Sequence, residues 1–163
     1  MRLLIVRHAI AVERGTPGLA DDARPLTAAG EKRFRQAARG LAAIVPRPDL
    51  LLTSPLPRAR RTAELAAEAW RKVEVHDVPA LASGDFDGLA AALADCPPDS
   101  HVAIFGHEPH LSALLARVLG GGRDERLTFK KGGVALVDLE GPLTGGGSLV
   151  FFIPPRILRR LSE

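Results

Sequence analysis

Leu3-Leu4-Ile5-Val6-Arg7-His8 opens the chain and decides how the rest is read. Four consecutive apolar residues read as a strand buried on both faces, and the run is closed at once by a cation and an imidazole. The same grammar recurs further on. Leu50-Leu51-Leu52-Thr53 is followed by Ser54-Pro55-Leu56-Pro57-Arg58, and the strand predicted from His101 to Phe105 is followed by Gly106-His107. The carboxyl ends of parallel strands share one sheet edge, and ligands bind in the crevice along it. Three separated segments therefore deliver Arg7, His8, Arg58 and His107 to one place.

Between these runs the pattern is helical. Thr27 suits a helix cap with Glu31 near the first turn, and Phe34, Ala37, Ala38, Leu41, Ile44 and Val45 follow at three-and-four spacing until Pro46 and Pro48. Further helices are predicted from Pro57 to Trp70, from Leu89 to Ala94, and from Pro109 through the face Leu111, Leu114, Leu115, Val118 and Leu119, ended by Gly120-Gly121-Gly122. Lys72 to Val75 reads as a third strand, and residues 9–25 and Gly84 to Gly88 as loops. Two late strands, Gly133 to Leu139 and Ser148 to Ile153, are expected to form a hairpin through the Gly-rich stretch Gly141 to Gly147. Strands and helices alternate and no linker or repeat interrupts them. The expectation is one domain over residues 1–163, an α/β three-layer αβα sandwich whose central sheet of about six strands is mostly parallel.

Composition narrows the class. With 163 residues, 46% hydrophobic and 25% charged, the chain has the make-up of a folded globule with room for one core region. Aromatic residues are only 4% and Tyr is absent, so the core must be aliphatic. A single cysteine, Cys96, allows no internal disulfide and reads as a bystander in a Pro-rich turn. The opening apolar run is too short for a signal peptide and no segment approaches a membrane span, so a cytoplasmic location and no membrane partner are expected. The net charge of +3 suits an anionic partner. The clusters Arg58/Arg60/Arg61 and Arg156/Arg159/Arg160 lack aromatic interleaving, so nucleic acid is not expected, and Arg60, Arg61 and the C-terminal group read as solvated surface.

Two arginines and two histidines in a small space repel one another unless a multiply charged anion lies among them. Guanidinium forks match phosphate oxygens bidentately, and the start of the helix bearing Arg58 adds a favourable dipole. A phosphoryl group is the natural guest. A neutral imidazole nitrogen can attack phosphorus, provided the other ring nitrogen keeps its proton against an acceptor. Arginines can neutralise the equatorial oxygens, so no metal or other cofactor is expected. His107-Glu108-Pro109-His110 lacks the i,i+4 histidine pair of a zinc helix. His76 and His101 read as bland, and His110 as at most a neighbour of the site.

These residues resemble the histidine phosphatase superfamily, whose fold is phosphoglycerate mutase-like. Arg7-His8-Ala9 is similar to its first signature, Ser54-Pro55-Leu56-Pro57-Arg58-Ala59 with Thr62-Ala63 to its second, and Gly106-His107-Glu108-Pro109 to its third. Asp21-Asp22-Ala23-Arg24-Pro25-Leu26-Thr27, then Gly30, is similar to a segment of the SixA-like phosphohistidine phosphatases. The resemblance runs from residue 2 to about residue 119. It implies that His8 is the phosphorylated nucleophile, that Arg7, Arg58 and His107 bind the phosphoryl oxygens, with Arg24 a further candidate, and that the chemistry needs no metal. Many members carry Gly-x-Ser after the Arg-His pair, where this chain has Ala9-Ile10-Ala11. The stretch Pro79 to Gly88 is too short for the large lid insertion of the mutases, and leaves Asp85 or Asp87 as the only acids there to donate a proton.

The implied activity is hydrolysis through phosphohistidine on His8, with a histidine-phosphorylated protein domain as substrate. Small phosphoesters or polyphosphate are the alternative substrates. A mutase would want a closing lid to retain its intermediate. A noncatalytic phosphate-binding module would keep the arginines but have no need of His8.

Overall fold

A computed structural model describes residues 1–121, 127–141, 143 and 146–162. Its six strands are β1 (Arg2–Arg7), β2 (Leu50–Thr53), β3 (Val75–Asp77), β4 (His101–Gly106), β5 (Val134–Leu139) and β6 (Gly147–Ile153). They form one sheet in the order β3-β2-β4-β1-β5-β6. β4 pairs in parallel with both β1 and β2, and β2 with β3. β5 pairs antiparallel with β1 and β6 antiparallel with β5, so β5 alone runs against the rest. The mostly parallel sheet and the late β5–β6 pair agree with the sequence reading, though residues 142, 144 and 145 of the expected turn lie outside the described residues.

β3 starts at Val75 rather than Lys72. Arg71 and Lys72 take positive φ values of 60° and 64°, and the Lys72 N–H returns to the Ala67 carbonyl at 2.8 Å, so both serve the turn that ends the preceding helix.

Side chains of the central strands alternate between two cores. Leu4, Val6, Leu51, Ala103, Phe105, Val134 and Leu136 point to one, where α1 (Ala28–Ile44) and α2 (Pro57–Ala69) supply Phe34, Leu41, Ala63, Ala66 and others. Leu3, Ile5, Leu52, Val102, Ile104, Ala135 and Val137 point to the other. There α3 (Ala80–Ser83), α4 (Phe86–Ala94) and α5 (His110–Val118) contribute Leu81, Leu89, Leu93, Leu111 and Leu115. Helices thus cover both faces, as the sandwich requires. Among the described residues no helix is long and apolar enough to cross a membrane.

The Thr27 hydroxyl accepts the Gly30 N–H at 2.9 Å, which fixes the start of α1. Gly30 lies so close to the Ile10 carbonyl that a Cβ there would collide with it. This close approach seats α1 directly on the loop that follows His8. Gly120, at φ 79°, ends α5 with its N–H on the Arg117 carbonyl; Gly122 lies outside the described residues.

Three departures concern short helices, of which α3, a single turn over Ala80–Ser83, lies where the sequence reading predicts no helix. The stretch read as a loop from Gly84 to Gly88 holds the first turn of α4, because Asp85 caps it by accepting the Gly88 N–H at 3.1 Å. No large insertion joins β3 to β4, only α3 and α4. A sixth helix, α6 (Pro155–Arg160), was not expected; Pro155 opens it and its fully buried Leu158 packs on α1, where Gly40 leaves room for the Leu158 carbonyl.

Candidate active site

The register Arg7↔Gly106 between β1 and β4 brings His8 and His107 side by side at the carboxyl edge. Their ring centroids are 5.1 Å apart and the planes tilt by 52°. The backbone is locked on both sides: His8 N–H donates to the Gly106 carbonyl at 3.0 Å, and Gly132 N–H meets the carbonyls of Arg7 and His8 at 3.1 Å. Beyond β2, Ser54 N–H donates to the Phe105 carbonyl at 2.9 Å, so the β2–α2 turn docks on β4. Arg58 stands in the first turn of α2, its side chain only 5% exposed. Thr62, one turn further, donates to the Arg58 carbonyl at 2.6 Å and accepts the Ala9 N–H at 3.0 Å, tying α2 to the residue after His8.

The hydrogen bonds assign the two imidazoles different tasks. His8 Nδ1 lies 2.7 Å from the Ala9 carbonyl, which can only accept, so Nδ1 carries the proton and Nε2 keeps its lone pair. His8 Nε2 makes no hydrogen bond to any described residue. His107 Nε2 instead pairs with the Ser54 hydroxyl at 2.7 Å. That hydroxyl already accepts the Leu56 N–H at 3.2 Å and can donate to His107, which then bears its proton on Nδ1. Burial, reinforced by His107, Arg58 and Arg7, pushes His8 down to about 3; burial, reinforced chiefly by Arg58, pushes His107 down to about 4. Both rings are therefore neutral at pH 7.

Among the described residues, four buried side-chain nitrogens lack a hydrogen-bond partner: Arg7 Nε, Arg58 Nε, His107 Nδ1 and His110 Nδ1. Three belong to the residues singled out from sequence. Buried donors are nearly always satisfied, so three together call for a shared acceptor, and a tetrahedral oxyanion has oxygens enough for all of them.

Two carboxylates shape the site without entering the expected list. Asp21, in a single 3₁₀ turn (Asp21–Ala23), accepts Arg58 Nη1 on its carbonyl at 2.9 Å and Arg24 Nε on its carboxylate at 2.9 Å. Arg24 is buried, donates to the Val12 carbonyl at 2.7 Å, and presses down the pKa of both Arg58 and His107. It is thus electrostatically part of the cluster. Glu108 accepts the Phe129 N–H at 2.6 Å and the Ser112 hydroxyl at 2.7 Å, and the Phe129 carbonyl accepts Arg7 Nη1 at 2.6 Å. Glu108, the residue after His107, therefore holds the strap that orients Arg7. For Asp21 the only sequence signal was its place in the SixA-like segment.

Among the described residues Asp85 hydrogen-bonds to none of these side chains; its carboxylate caps α4 and it lines a cavity of about 200 Å³ shared with His110 and Phe86. His110 packs against Gly84, and His76 pairs with Glu74 at 3.1 Å. Among the described residues no group of three or more His, Cys, Asp or Glu stands close enough to hold a metal ion.

The family model for the histidine phosphatase superfamily (branch 1) matches residues 3–96. The chain belongs to the histidine phosphatase superfamily. An uncharacterized protein of Picosynechococcus sp. (strain ATCC 27264 / PCC 7002 / PR-6) is 34% identical over 141 residues, covering 82% of each chain. The protein histidine phosphatase SixA in complex with tungstate superposes with a TM-score of 0.81 at 26% identity, covering 97% of this chain and 99% of that one. A SixA structure from Agrobacterium tumefaciens gives 0.75 at 27% identity, covering 94% and 97%. This histidine phosphatase superfamily member is SixA-like in form, with the phosphoglycerate mutase-like fold expected of it, and family and likeness together support a phosphatase hydrolase.

The depressed histidines make stability depend on pH. An unfolded histidine titrates near about 6.5, whereas the folded ones take up protons only near about 4 and about 3. Between those limits the unfolded chain binds more protons, so their contribution is full above about 6.5 and is lost as pH falls toward 4 and then 3. Thermal melts are expected to show Tm falling from pH 7 to pH 5, with a shallower slope in the double variant H8Q/H107Q. An unchanged slope in that variant would assign the loss to other groups.

Proposed function

We propose that this chain is a protein phosphohistidine phosphatase working through a covalent phosphohistidine on His8, without a metal, in the cytoplasm. The observation that carries the reading is the Nδ1 bond of His8 to the Ala9 carbonyl, because it leaves Nε2 as a lone-pair nucleophile beside three cationic or donor side chains. The phosphoryl group lodges among Arg7, Arg58 and His107, with Arg24 adding positive potential from behind Arg58. His8 Nε2 attacks phosphorus in line and the P–N bond to the leaving imidazole breaks as that nitrogen is protonated. Ala9 holds the Nδ1 proton, so positive charge is spread over the ring while the phosphoryl group is attached. Water then attacks phosphorus, His8 leaves with its lone pair restored, and phosphate departs.

Tungstate in the SixA complex is a tetrahedral dianion like phosphate, which supports an oxyanion as the guest of this chain's site. The short β3–β4 connection supports a bulky substrate, since α3 and α4 leave the carboxyl edge without a large cover. Asp85 is the candidate proton donor, although its carboxylate is already engaged as a cap. A phosphohistidine leaving group needs little help, because the departing imidazole nitrogen is itself basic.

The test is a substrate panel: a phosphohistidine-bearing protein domain, a chromogenic phosphoester and polyphosphate, each with wild type and Asp85→Asn. Asn caps a helix as Asp does but cannot donate the proton. The phosphoprotein is expected to give the highest kcat/KM, with Asp85→Asn within about twofold on it and about tenfold or more slower on the phosphoester. A higher kcat/KM for the phosphoester or polyphosphate would reassign the substrate. No turnover of any member would make the protein a phosphate-binding module.

A further inference from the structure

We infer that a cationic shelf beside the active site, made by Arg33, Lys131, Arg156 and Arg159, docks an acidic face of the phosphorylated protein substrate. The inference rests on the phosphoprotein reading above and adds the surface that recognises the partner.

Sequence places these residues far apart: Arg33 on α1, Lys131 before β5, Arg156 and Arg159 on α6. Sheet register brings them together. Val134 pairs with Val6 on one side and with Ile153 on the other, so the segment before β5 and the segment after β6 both emerge at the edge where β1 delivers His8. The packing of Leu158 against α1 then lays α6 beside the helix that carries Arg33. Ala9 and Ile10, which directly follow His8, line a cleft with Arg33, Lys131 and Arg159. An adjoining cleft shares Pro155 and Arg159 and adds Lys130 and Arg156.

Neither cleft is lined by a carboxylate. None of these cations forms an ion pair among the described residues, whereas Arg60 and Arg61 are tied to Asp77, Glu64 and Glu31. Arg60 and Arg61 are therefore ordinary compensated surface, whereas the C-terminal arginines have no ion-pair partner among the described residues. Like charges gathered without counter-charges steer and orient an anionic partner.

The lining favours a polypeptide over a nucleic acid or polyphosphate. Ile10 and Pro155 give the first cleft an apolar lining, which suits the mixed surface of a protein. Phe34 is 3% exposed, so it offers no face on which a base could stack.

The experiment compares wild type with Arg33→Gln/Lys131→Gln/Arg156→Gln. Each is assayed with a phosphohistidine-bearing domain of acidic surface and with phosphoramidate, at low salt and at about 0.5 M salt. At low salt the triple variant is expected to lose about tenfold or more in kcat/KM on the phosphoprotein, mostly through KM, and nothing on phosphoramidate. High salt should bring the two proteins together by slowing wild type. Equal phosphoprotein turnover by both at low salt would overturn the shelf alone. So would a matching loss on phosphoramidate, which would make these cations part of the phosphoryl site. Wild type that hydrolyses phosphoramidate but no phosphoprotein would overturn the phosphoprotein reading together with the shelf. Salt-sensitive binding of a single-stranded oligonucleotide that the triple variant loses, with phosphoprotein turnover unchanged, would reassign the shelf to nucleic acid.

Discussion

His8→Ala is expected to abolish both turnover and covalent labelling. Incubated with a ³²P-labelled phosphodonor and quenched, wild type should carry label that is lost in acid and kept in alkali, as a phosphorus–nitrogen bond requires. The variant should carry none, and its kcat/KM should drop by about 10³-fold or more, leaving only what the arginine cradle contributes. The fold should survive. His8 is a neutral, buried ring whose one hydrogen bond among the described residues runs to the adjacent carbonyl, so its removal breaks no long-range tie there. His107 cannot take over, because the Ser54 hydroxyl engages its Nε2 and its rigid approach is set by β4 rather than β1. Melting curves establish that the variant is folded. Label retained by folded His8→Ala protein would transfer the nucleophile elsewhere and remove the mechanism proposed here.

The parts of this molecule that could be read from residues alone are those governed by local pattern. Apolar runs at Leu3, Leu50 and Val102 announced buried strands, and the residue types that followed them announced an oxyanion site. Legibility failed where a few residues decide. α6 is six residues long and is held by one buried leucine against α1, a contact that no periodicity reveals. β3 began late because two non-glycine residues took left-handed backbone, which only the packing of the turn enforces. The first turn of α4 depended on one side-chain bond from Asp85.

The same distinction runs through the site. His8, Arg7, Arg58 and His107 could be placed because each directly follows or opens a regular element. What orients them could not. Asp21 reaches Arg58 across 37 positions of sequence, and Glu108 reaches Phe129 across 21. Both bonds depend on an irregular segment, the stretch around Asp21 and the stretch around Phe129, and such conformation carries no period to read. The cationic shelf was hidden for a related reason. Arg156 and Arg159 looked like a solvated tail until register and helix packing set them beside Arg33 and Lys131.

Arg58→Ala should separate affinity from stability in a way that an ordinary buried truncation does not. The guanidinium is nearly inaccessible, and its Nη1 is spent on the Asp21 carbonyl while Nε has no partner among the described residues. Losing a preorganised donor to the phosphoryl group costs about 10²–10³-fold, so vanadate inhibition and phosphate protection against heat should weaken by that order. In the protein without anion the same side chain is held in opposed fields: burial and Arg24 lower its pKa while Asp21, 3.7 Å from Nη2, and Asp22 raise it, and it is the foremost of the charges that depress His107. Removing it should let the His107 pKa climb from about 4 toward its ordinary value, which nuclear magnetic resonance titration would record, and should flatten the acid side of the stability profile. Arg58→Lys is the informative companion, since it keeps the charge and discards the planar fork. It should restore the depressed His107 pKa while recovering only part of the vanadate affinity. Vanadate inhibition unchanged in folded Arg58→Ala protein would mean that the guanidinium faces no phosphoryl oxygen, and the convergence of β1, β2 and β4 on a single oxyanion would no longer explain the site.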